Sequence, residues 1–160
     1  MIRLLVVCLG NICRSPVAEG ALRHRLADAR LAKRVEVDSC GTGDWHVGDP
    51  PDPRAIRSAA GHGIDISTLR ARTLVPADYR HFDVVLCADA STLQIVRSRQ
   101  PADATAEIVG LLDWAGLGPG DVPDPYTGDA AGFETVWQLV DRAAAGIVER
   151  IGAGTASDRA

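Results

Sequence analysis

Short runs of apolar residues alternate along this chain with stretches whose apolar residues recur every three or four positions. The first run, residues 2–7, is rich in leucine and valine and predicts a buried strand. The same reasoning predicts strands over residues 35–39, 84–88 and 107–112, and helices over about 16–30, 52–60, 90–99 and 131–151. Residues 152–160 are predicted to form a flexible tail.

Alternating strands and helices indicate an α/β fold with a parallel sheet. We therefore expect a three-layer architecture, in which four parallel strands are flanked by helices on both faces. The length of 160 residues fits one domain, which we place at residues 1–151. In such folds the functional site lies beyond the carboxyl ends of the strands.

The composition of the chain argues against several classes of function. Hydrophobic residues make up 46% of the chain, charged residues 24%, and the net charge is −4, which argues against a general binder of nucleic acids or anionic membranes. No apolar run approaches the length of a membrane span, and the first residues lead directly into a strand, so we expect a cytoplasmic protein. The four cysteines include no C-x2-C pair, and we expect neither a metal nor a cofactor.

The segment that follows the first strand carries the chemistry. Cys8 ends the strand, Arg14 comes six positions later, and Ser15 and Pro16 predict the start of a helix, with Ser15 as its cap and Pro16 at its first position. Gly10 and Asn11, which tolerate positive φ, allow the loop to turn backbone N–H groups inward as an anion-binding nest.

This arrangement suits phosphoryl transfer to sulfur. Backbone amides, the helix N-terminus and Arg14 all favour a thiolate at Cys8 over the protonated thiol, whose ordinary pKa is about 8.5. The same groups would hold a phosphate, and the Arg14 guanidinium can bind two of its oxygens. The alternative is that Cys8 is simply a small buried residue. The segment lacks the glycine–lysine pattern of a P-loop, which argues against nucleotide binding by that route.

Two long loops offer further candidates. Trp45 lies in a polar loop over residues 41–53, where it either pins its own loop or forms an aromatic wall of the phosphate site. The loop from residue 113 to about 130 carries Asp124 between two prolines, and a carboxylic acid there could protonate a leaving phenolate. On chemistry alone three other aspartates of this loop compete: Asp113, Asp121 and Asp129.

Residues 7–16, Val-Cys-Leu-Gly-Asn-Ile-Cys-Arg-Ser-Pro, resemble the signature loop of the low-molecular-weight protein tyrosine phosphatases. Asp124-Pro125-Tyr126 resembles the family's general-acid loop. The resemblance implies a flavodoxin-like fold and a phosphocysteine intermediate on Cys8, with Asp124 as general acid and Trp45 and Tyr126 as walls of the crevice. It also implies a phosphate site formed by Leu9, Gly10, Asn11, Ile12, Cys13, Arg14 and Ser15.

The resemblance extends to supporting positions. Cys13 is either a packing residue or a thiol that traps an oxidised Cys8 as a disulfide, and the family favours the second role. Ser15, Glu19, Asp38 and His62 match polar positions that brace the loop, although His62 could equally be a surface residue of a turn. After the third strand the family often has Met-Asp followed three residues later by Asn. This chain has Ala88-Asp89 with Thr92, a departure that we place away from the chemistry.

A second departure lies in the acid loop, where Thr127 replaces the second of two tyrosines found in many members. Regulation through a phosphorylated tyrosine pair is therefore in doubt for this chain.

Four functions remain to be distinguished. A protein tyrosine phosphatase explains Cys8, Arg14 and Asp124 together. A thiol-coupled arsenate reductase would need another redox cysteine pair, and only Cys87 lies in the second half of the chain. A protein-arginine phosphatase tends to carry threonine where this chain has Ile12. A phosphate-binding module without catalytic activity is the fourth.

We expect the partners to be proteins that carry phosphotyrosine, and we expect phosphate or similar oxyanions to bind in the site. We expect no binding to nucleic acids or membranes, and we expect a monomer with at most weak self-association.

Overall fold

Four parallel strands form one sheet in a computed structural model, which describes residues 1–158. The strands lie in the order β2-β1-β3-β4. Their bounds are β1 (Ile2–Cys8), β2 (Val35–Gly41), β3 (Val84–Cys87) and β4 (Glu107–Gly110). Strand β1 pairs with β2 on one side and with β3 on the other. From β1 the chain first adds β2 on one side of the sheet, and then adds β3 and β4 on the other side. Ligands of such sheets bind beyond the carboxyl ends of the two strands where this change of side occurs, here β1 and β3.

Helices cover both faces of the sheet, which confirms the predicted three-layer α/β fold. They are α1 (Arg14–Asp28), α2 (Pro53–Gly61), α3 (Asp78–His81), α4 (Ala90–Ser98), α5 (Leu111–Trp114) and α6 (Ala130–Asp158). No helix within residues 1–158 is both long and apolar enough to cross a membrane.

Strand β1 lies at the centre of two hydrophobic clusters. Leu4 and Val6 pack into the larger cluster, together with residues of α1 and α6. Leu5 and Val7 point to the opposite face and pack into a smaller cluster with Tyr79, which belongs to α3. Because successive side chains of a strand face opposite sides, burial of both faces explains why this strand is apolar throughout.

The start of α1 differs from the sequence prediction. The helix begins at Arg14, and Cys13 occupies the N-cap position without a side-chain capping bond. The predictions that Ser15 caps the helix and that Pro16 is its first residue are therefore wrong. The Ser15 hydroxyl is buried and bonded to other side chains, so it cannot cap. Pro16 stands at the third helical position. A backbone N–H there would have no intrahelical partner, so its absence in proline costs the helix no hydrogen bond.

Other element ends also differ. Strand β2 continues to Gly41 because it pairs with β1 along its whole length. The prediction of a strand over 107–112 is wrong beyond Gly110, where the chain turns directly into α5. The short helix α3 lacks enough residues to show a helical period and was not predicted.

Helix α6 extends to Asp158, so the prediction that it ends near Ile151 is wrong. No proline follows Ile151, and a glycine costs a helix only about 1 kcal/mol relative to alanine. Of the predicted tail, residues 159 and 160 lie outside the described residues.

Candidate active site

The loop between β1 and α1 is held open as an anion cradle. Its carbonyl groups point outward, since those of Cys8, Leu9 and Ile12 accept hydrogen bonds of 2.8–2.9 Å from the N–H groups of residues 42, 43 and 52. Asn11 has a φ of 58°, the left-handed conformation that the turn requires. Within residues 1–158, the N–H groups of residues 9–13 donate to no protein acceptor. They are thus free to bind an anion.

A buried hydrogen-bond network reaches the sulfur of Cys8. Ser15 Oγ lies 3.0 Å from Cys8 Sγ and accepts a hydrogen bond of 2.7 Å from Asn11 Nδ2. Since Asn11 already donates to Ser15, the hydroxyl proton of Ser15 is left to donate to another acceptor. The Cys8 sulfur is closer than the carbonyl oxygen of Cys40, which lies at 3.5 Å. The geometry therefore directs the Ser15 hydroxyl to the sulfur, where a hydrogen bond would favour the thiolate.

The network continues outward from Asn11. Its Nδ2 also donates to Ser39 Oγ at 3.0 Å, and Ser39 in turn donates to Glu19 Oε1 at 2.7 Å. The other oxygen of Glu19 pairs with Arg23, 2.7 Å away. Burial raises the pKa of Glu19, although the bond from Ser39 and the Arg23 charge oppose this shift. Glu19 is thus linked to Asn11 of the loop through one intermediate side chain, Ser39.

Asp38 reaches the loop through an arginine that the sequence reasoning did not identify. Both Nε and Nη2 of Arg72 donate to Asp38 Oδ2, at 3.1 and 3.0 Å, and the same guanidinium pairs with Asp78 at 3.1 Å. The backbone N–H of Arg72 donates to Asn11 Oδ1 at 3.0 Å. Every polar side-chain atom of Asn11 is therefore bonded, which fixes its strained backbone.

Arg14 is held in place by Asp89, which follows the neighbouring strand β3, and by the loop that contains Val122. Its side chain is only 4% exposed, and Nη1 donates to Asp89 Oδ2 at 2.6 Å and to the carbonyl oxygen of Val122 at 3.1 Å. The other oxygen of Asp89 accepts from the N–H of Thr92 and caps α4. Burial works against ionisation of Asp89, but the bonds from Arg14 and Thr92 prevail and lower its pKa. Placing Asp89 away from the chemistry was wrong, because it directly orients the arginine.

Asp124 lies across the cavity from the cradle. Its Oδ2 is 3.7 Å from Arg14 Nη2, and its side chain is 46% exposed. Its Oδ1 accepts a bond of 3.1 Å from the N–H of Tyr126. Arg54, which was also missed, donates to the carbonyl oxygens of Tyr126 and Gly128 at 2.8 and 3.0 Å, so it ties this loop to α2.

The three competing aspartates have other surroundings. Asp121 accepts from the N–H of Ala90, Asp129 accepts from the N–H of Gly132 near the start of α6, and Asp113 lies within α5. None of the three lines the cavity that contains Cys8.

The cavity above Cys8 has a volume of about 230 Å³. It is lined by loop residues, by Arg14 and Asp124, and by the exposed aromatic side chains of Trp45 and Tyr126. His46 also lines it, with its ring centre 6.4 Å from that of Tyr126, and was not predicted. Its position next to Trp45 in the long loop was the only signal. The aromatic walls suit a flat ring attached to the phosphate.

Cys8 and Cys13 line the same cavity, and all four cysteines are free thiols. Burial, together with nearby acidic groups, raises the pKa of Cys13 to about 12, so it is protonated near neutral pH. Cys40 and Cys87 are buried in the smaller hydrophobic cluster, where desolvation raises the pKa of each thiol. Cys8 is therefore the candidate nucleophile of this site.

His62 does not brace the loop. Its Nε2 lies 2.8 Å from Glu134 Oε1, and its ring stacks on Trp137 with the ring centres 4.6 Å apart. Both contacts are with α6, so the predicted supporting role is wrong. His62 follows the last residue of α2, whereas Asp52, at the other end of this helix, donates its N–H to the carbonyl oxygen of Ile12 in the loop.

Comparison with known proteins agrees with this geometry. The family model of the low molecular weight phosphotyrosine protein phosphatases matches residues 3–156. A Schizosaccharomyces pombe protein of that description is 41% identical over 143 residues, or 88% of this chain and 91% of the relative. A Streptomyces coelicolor low molecular weight protein-tyrosine-phosphatase is 40% identical over 153 residues, 93% of each chain.

The fold agrees as well. The crystal structure of a protein tyrosine phosphatase from Entamoeba histolytica superimposes with a TM-score of 0.90 at 29% identity, covering 97% of this chain and 99% of that one. The chain therefore belongs to the low-molecular-weight phosphotyrosine protein phosphatase family.

Proposed function

We propose that this chain hydrolyses phosphotyrosine through a phosphocysteine intermediate on Cys8. One observation carries the proposal: Cys8, Arg14 and Asp124 line one cavity, with the Asp124 carboxylate 3.7 Å from the Arg14 guanidinium. A nucleophile, a phosphate-binding cation and an acid–base group thus surround the same space.

In the first step the Cys8 thiolate attacks phosphorus, and the bond between phosphorus and the phenolic oxygen breaks. Asp124, protonated at that moment, gives its proton to the departing oxygen, because a phenolate is a poor leaving group at neutral pH. The free N–H groups of the cradle and the Arg14 guanidinium stabilise the charge on the three equatorial oxygens.

In the second step a water molecule attacks phosphorus and the bond between sulfur and phosphorus breaks. The Asp124 carboxylate accepts the proton of the water, and inorganic phosphate and the Cys8 thiolate are released. The hydrogen bond from Ser15 to the sulfur assists this step, since it stabilises the thiolate as a leaving group.

The aromatic walls support aryl phosphates as substrates. The rings of Trp45 and Tyr126 can contact a phenyl ring whose phosphate reaches Cys8. An arsenate reductase would need two further reactive thiols, whereas Cys40 and Cys87 are buried in the core. The cytoplasmic location and the monomeric state remain predictions from sequence.

Oxidation is a further part of this proposal. A peroxide would oxidise the Cys8 thiolate to a sulfenic acid, and the Cys13 thiol would then attack that sulfur, release water and close a Cys8–Cys13 disulfide. The two cysteines share one cavity, which supports this pairing. Mass spectrometry of the peroxide-treated protein should find this disulfide, and Cys13→Ser should recover less activity after reduction.

The proposal is tested by single-turnover hydrolysis of two aryl phosphates without added metal. Cys8→Ser should be inactive. Asp124→Ala should be slow on phenyl phosphate, a poor leaving group, and less impaired on 4-nitrophenyl phosphate, a good one. Phosphoarginine is assayed beside phosphotyrosine in the same peptide, and faster turnover of phosphoarginine would overturn the substrate class. Wild-type turnover by Cys8→Ser would overturn the mechanism.

A further inference from the structure

A second cavity adjoins the active site on the other side of Trp45. This side groove has a volume of about 410 Å³ and is lined by Leu9, Trp45 and Ile95, with Thr73, Asp44 and Arg99 among its polar residues. Leu9 and Trp45 line both cavities. The two cavities are therefore separated by a partition made of these two side chains.

The partition is exposed and apolar. Leu9 is 42% exposed and Trp45 is 70% exposed, although large apolar side chains are usually buried. Trp45 lies directly against Gly43, where an added Cβ would be 1.9 Å from the indole ring. The ring therefore rests on the backbone of its own loop, where it forms a wall of both cavities.

The chemistry of the side groove favours an apolar occupant. Leu9, Trp45 and the half-buried Ile95 supply its apolar walls. Its two charged residues have opposite sign: Asp44 is exposed, and Arg99 Nη1 already donates to the carbonyl oxygen of Thr42 at 2.6 Å. Because these charges offset one another, the groove does not select for a net charge.

We propose that the side groove binds one large apolar side chain of the substrate protein, close in sequence to the phosphotyrosine; this inference rests on the proposed function. The partition is one side chain thick, and an extended peptide advances about 3.3 Å per residue. The apolar residue thus lies within about two positions of the phosphotyrosine. Ile95 is the specificity-determining residue, since it lines the side groove and not the active-site cavity.

The test uses phosphotyrosine peptides with leucine or alanine at each of the two positions before and after the phosphotyrosine. 4-Nitrophenyl phosphate serves as a substrate without neighbouring residues. We expect kcat/KM of the wild type to be about tenfold higher for leucine than for alanine at one of these positions. Ile95→Asp should abolish that preference and leave 4-nitrophenyl phosphate hydrolysis unchanged.

Gln94→Asp is the matched control, because it places the same charge on an exposed neighbouring position of α4 outside the groove. It should keep the preference. Ile95→Ala adds no charge and should reduce the preference even if Ile95→Asp does not fold.

The outcomes separate the two proposals. Equal kcat/KM for all peptides, with normal 4-nitrophenyl phosphate hydrolysis, would overturn the side groove alone. Equal losses on every substrate in both Ile95 variants would also overturn it, since they would indicate a structural role. Absence of any turnover by the wild type would overturn the proposed function and this inference with it.

Discussion

Removal of the Ser15 hydroxyl should make Cys8 less reactive without removing any group that touches the substrate. In Ser15→Ala the sulfur loses the donor that lies 3.0 Å away in a fully buried site. Asn11 Nδ2 loses one of its two acceptors and keeps the other, Ser39 Oγ. The substitution therefore weakens both the thiolate and the loop that surrounds it.

The size of the effect follows from the charge on sulfur. A hydrogen bond to a charged group contributes about 1.5–3 kcal/mol. Sulfur is a weak acceptor, so we take the lower value, which corresponds to about a tenfold slower reaction of Cys8. The unpaired Asn11 N–H should also lower the free energy of unfolding by about 1–2 kcal/mol.

The assay is the rate of inactivation by iodoacetate at pH 6, with and without phosphate as a protecting ligand. Ser39→Ala is the matched control, because it also deprives Asn11 Nδ2 of one acceptor but removes no atom that contacts Cys8. Ser15→Ala should slow inactivation about tenfold more than Ser39→Ala. Equal inactivation rates for the two variants, at similar loss of stability, would refute the role of the Ser15 hydroxyl.

Three further predictions follow from the site. Gly43→Ala should raise KM for 4-nitrophenyl phosphate, because a Cβ would displace the Trp45 ring, and should have no effect in a Trp45→Ala background; an equal effect in both would exclude action through Trp45. The variant Cys8→Ser keeps three of the four cysteines, all of them buried, and iodoacetamide at pH 7.5 should not alkylate these three until the protein is denatured. Rapid labelling of Cys13 would contradict this. Burial raises the pKa of Glu19 in the folded protein above its pKa in the unfolded chain. The protonated Glu19 side chain therefore stabilises the fold at acidic pH, and this contribution is lost as the pH rises through the raised pKa. Urea unfolding from pH 4.5 to 7.5 should therefore show a flatter pH dependence for Glu19→Gln, and an unchanged dependence would refute the assignment.

The cradle could be predicted from sequence because its parts are local. Cys8, Gly10, Asn11 and Arg14 lie within seven positions, and a strand before them and a helix after them determine where the side chains meet. Asp124 was predicted for a different reason: the proposed chemistry requires an acid, and the Asp-Pro-Tyr match distinguishes Asp124 from the other loop aspartates.

The residues that were missed act across the fold. Asp89 is 75 positions from Arg14 and meets it because β3 pairs with β1, so the partner depends on strand order. Arg72 lies 61 positions from Asn11, in an irregular segment between α2 and α3, so their contact also depends on the fold. Ser15 shows the converse error: a local capping rule is overridden when the hydroxyl is buried against Cys8 and Asn11.

The most direct test of the proposed mechanism is a rapid-quench experiment with a phosphotyrosine peptide, followed by mass spectrometry of the fragment that contains Cys8. We expect one phosphoryl group on Cys8 during turnover, and a longer-lived phosphocysteine in Asp124→Ala, in which the attacking water has lost its base. Turnover of the peptide with Cys8 unmodified at every time point, or with the phosphoryl group on another residue, would contradict it.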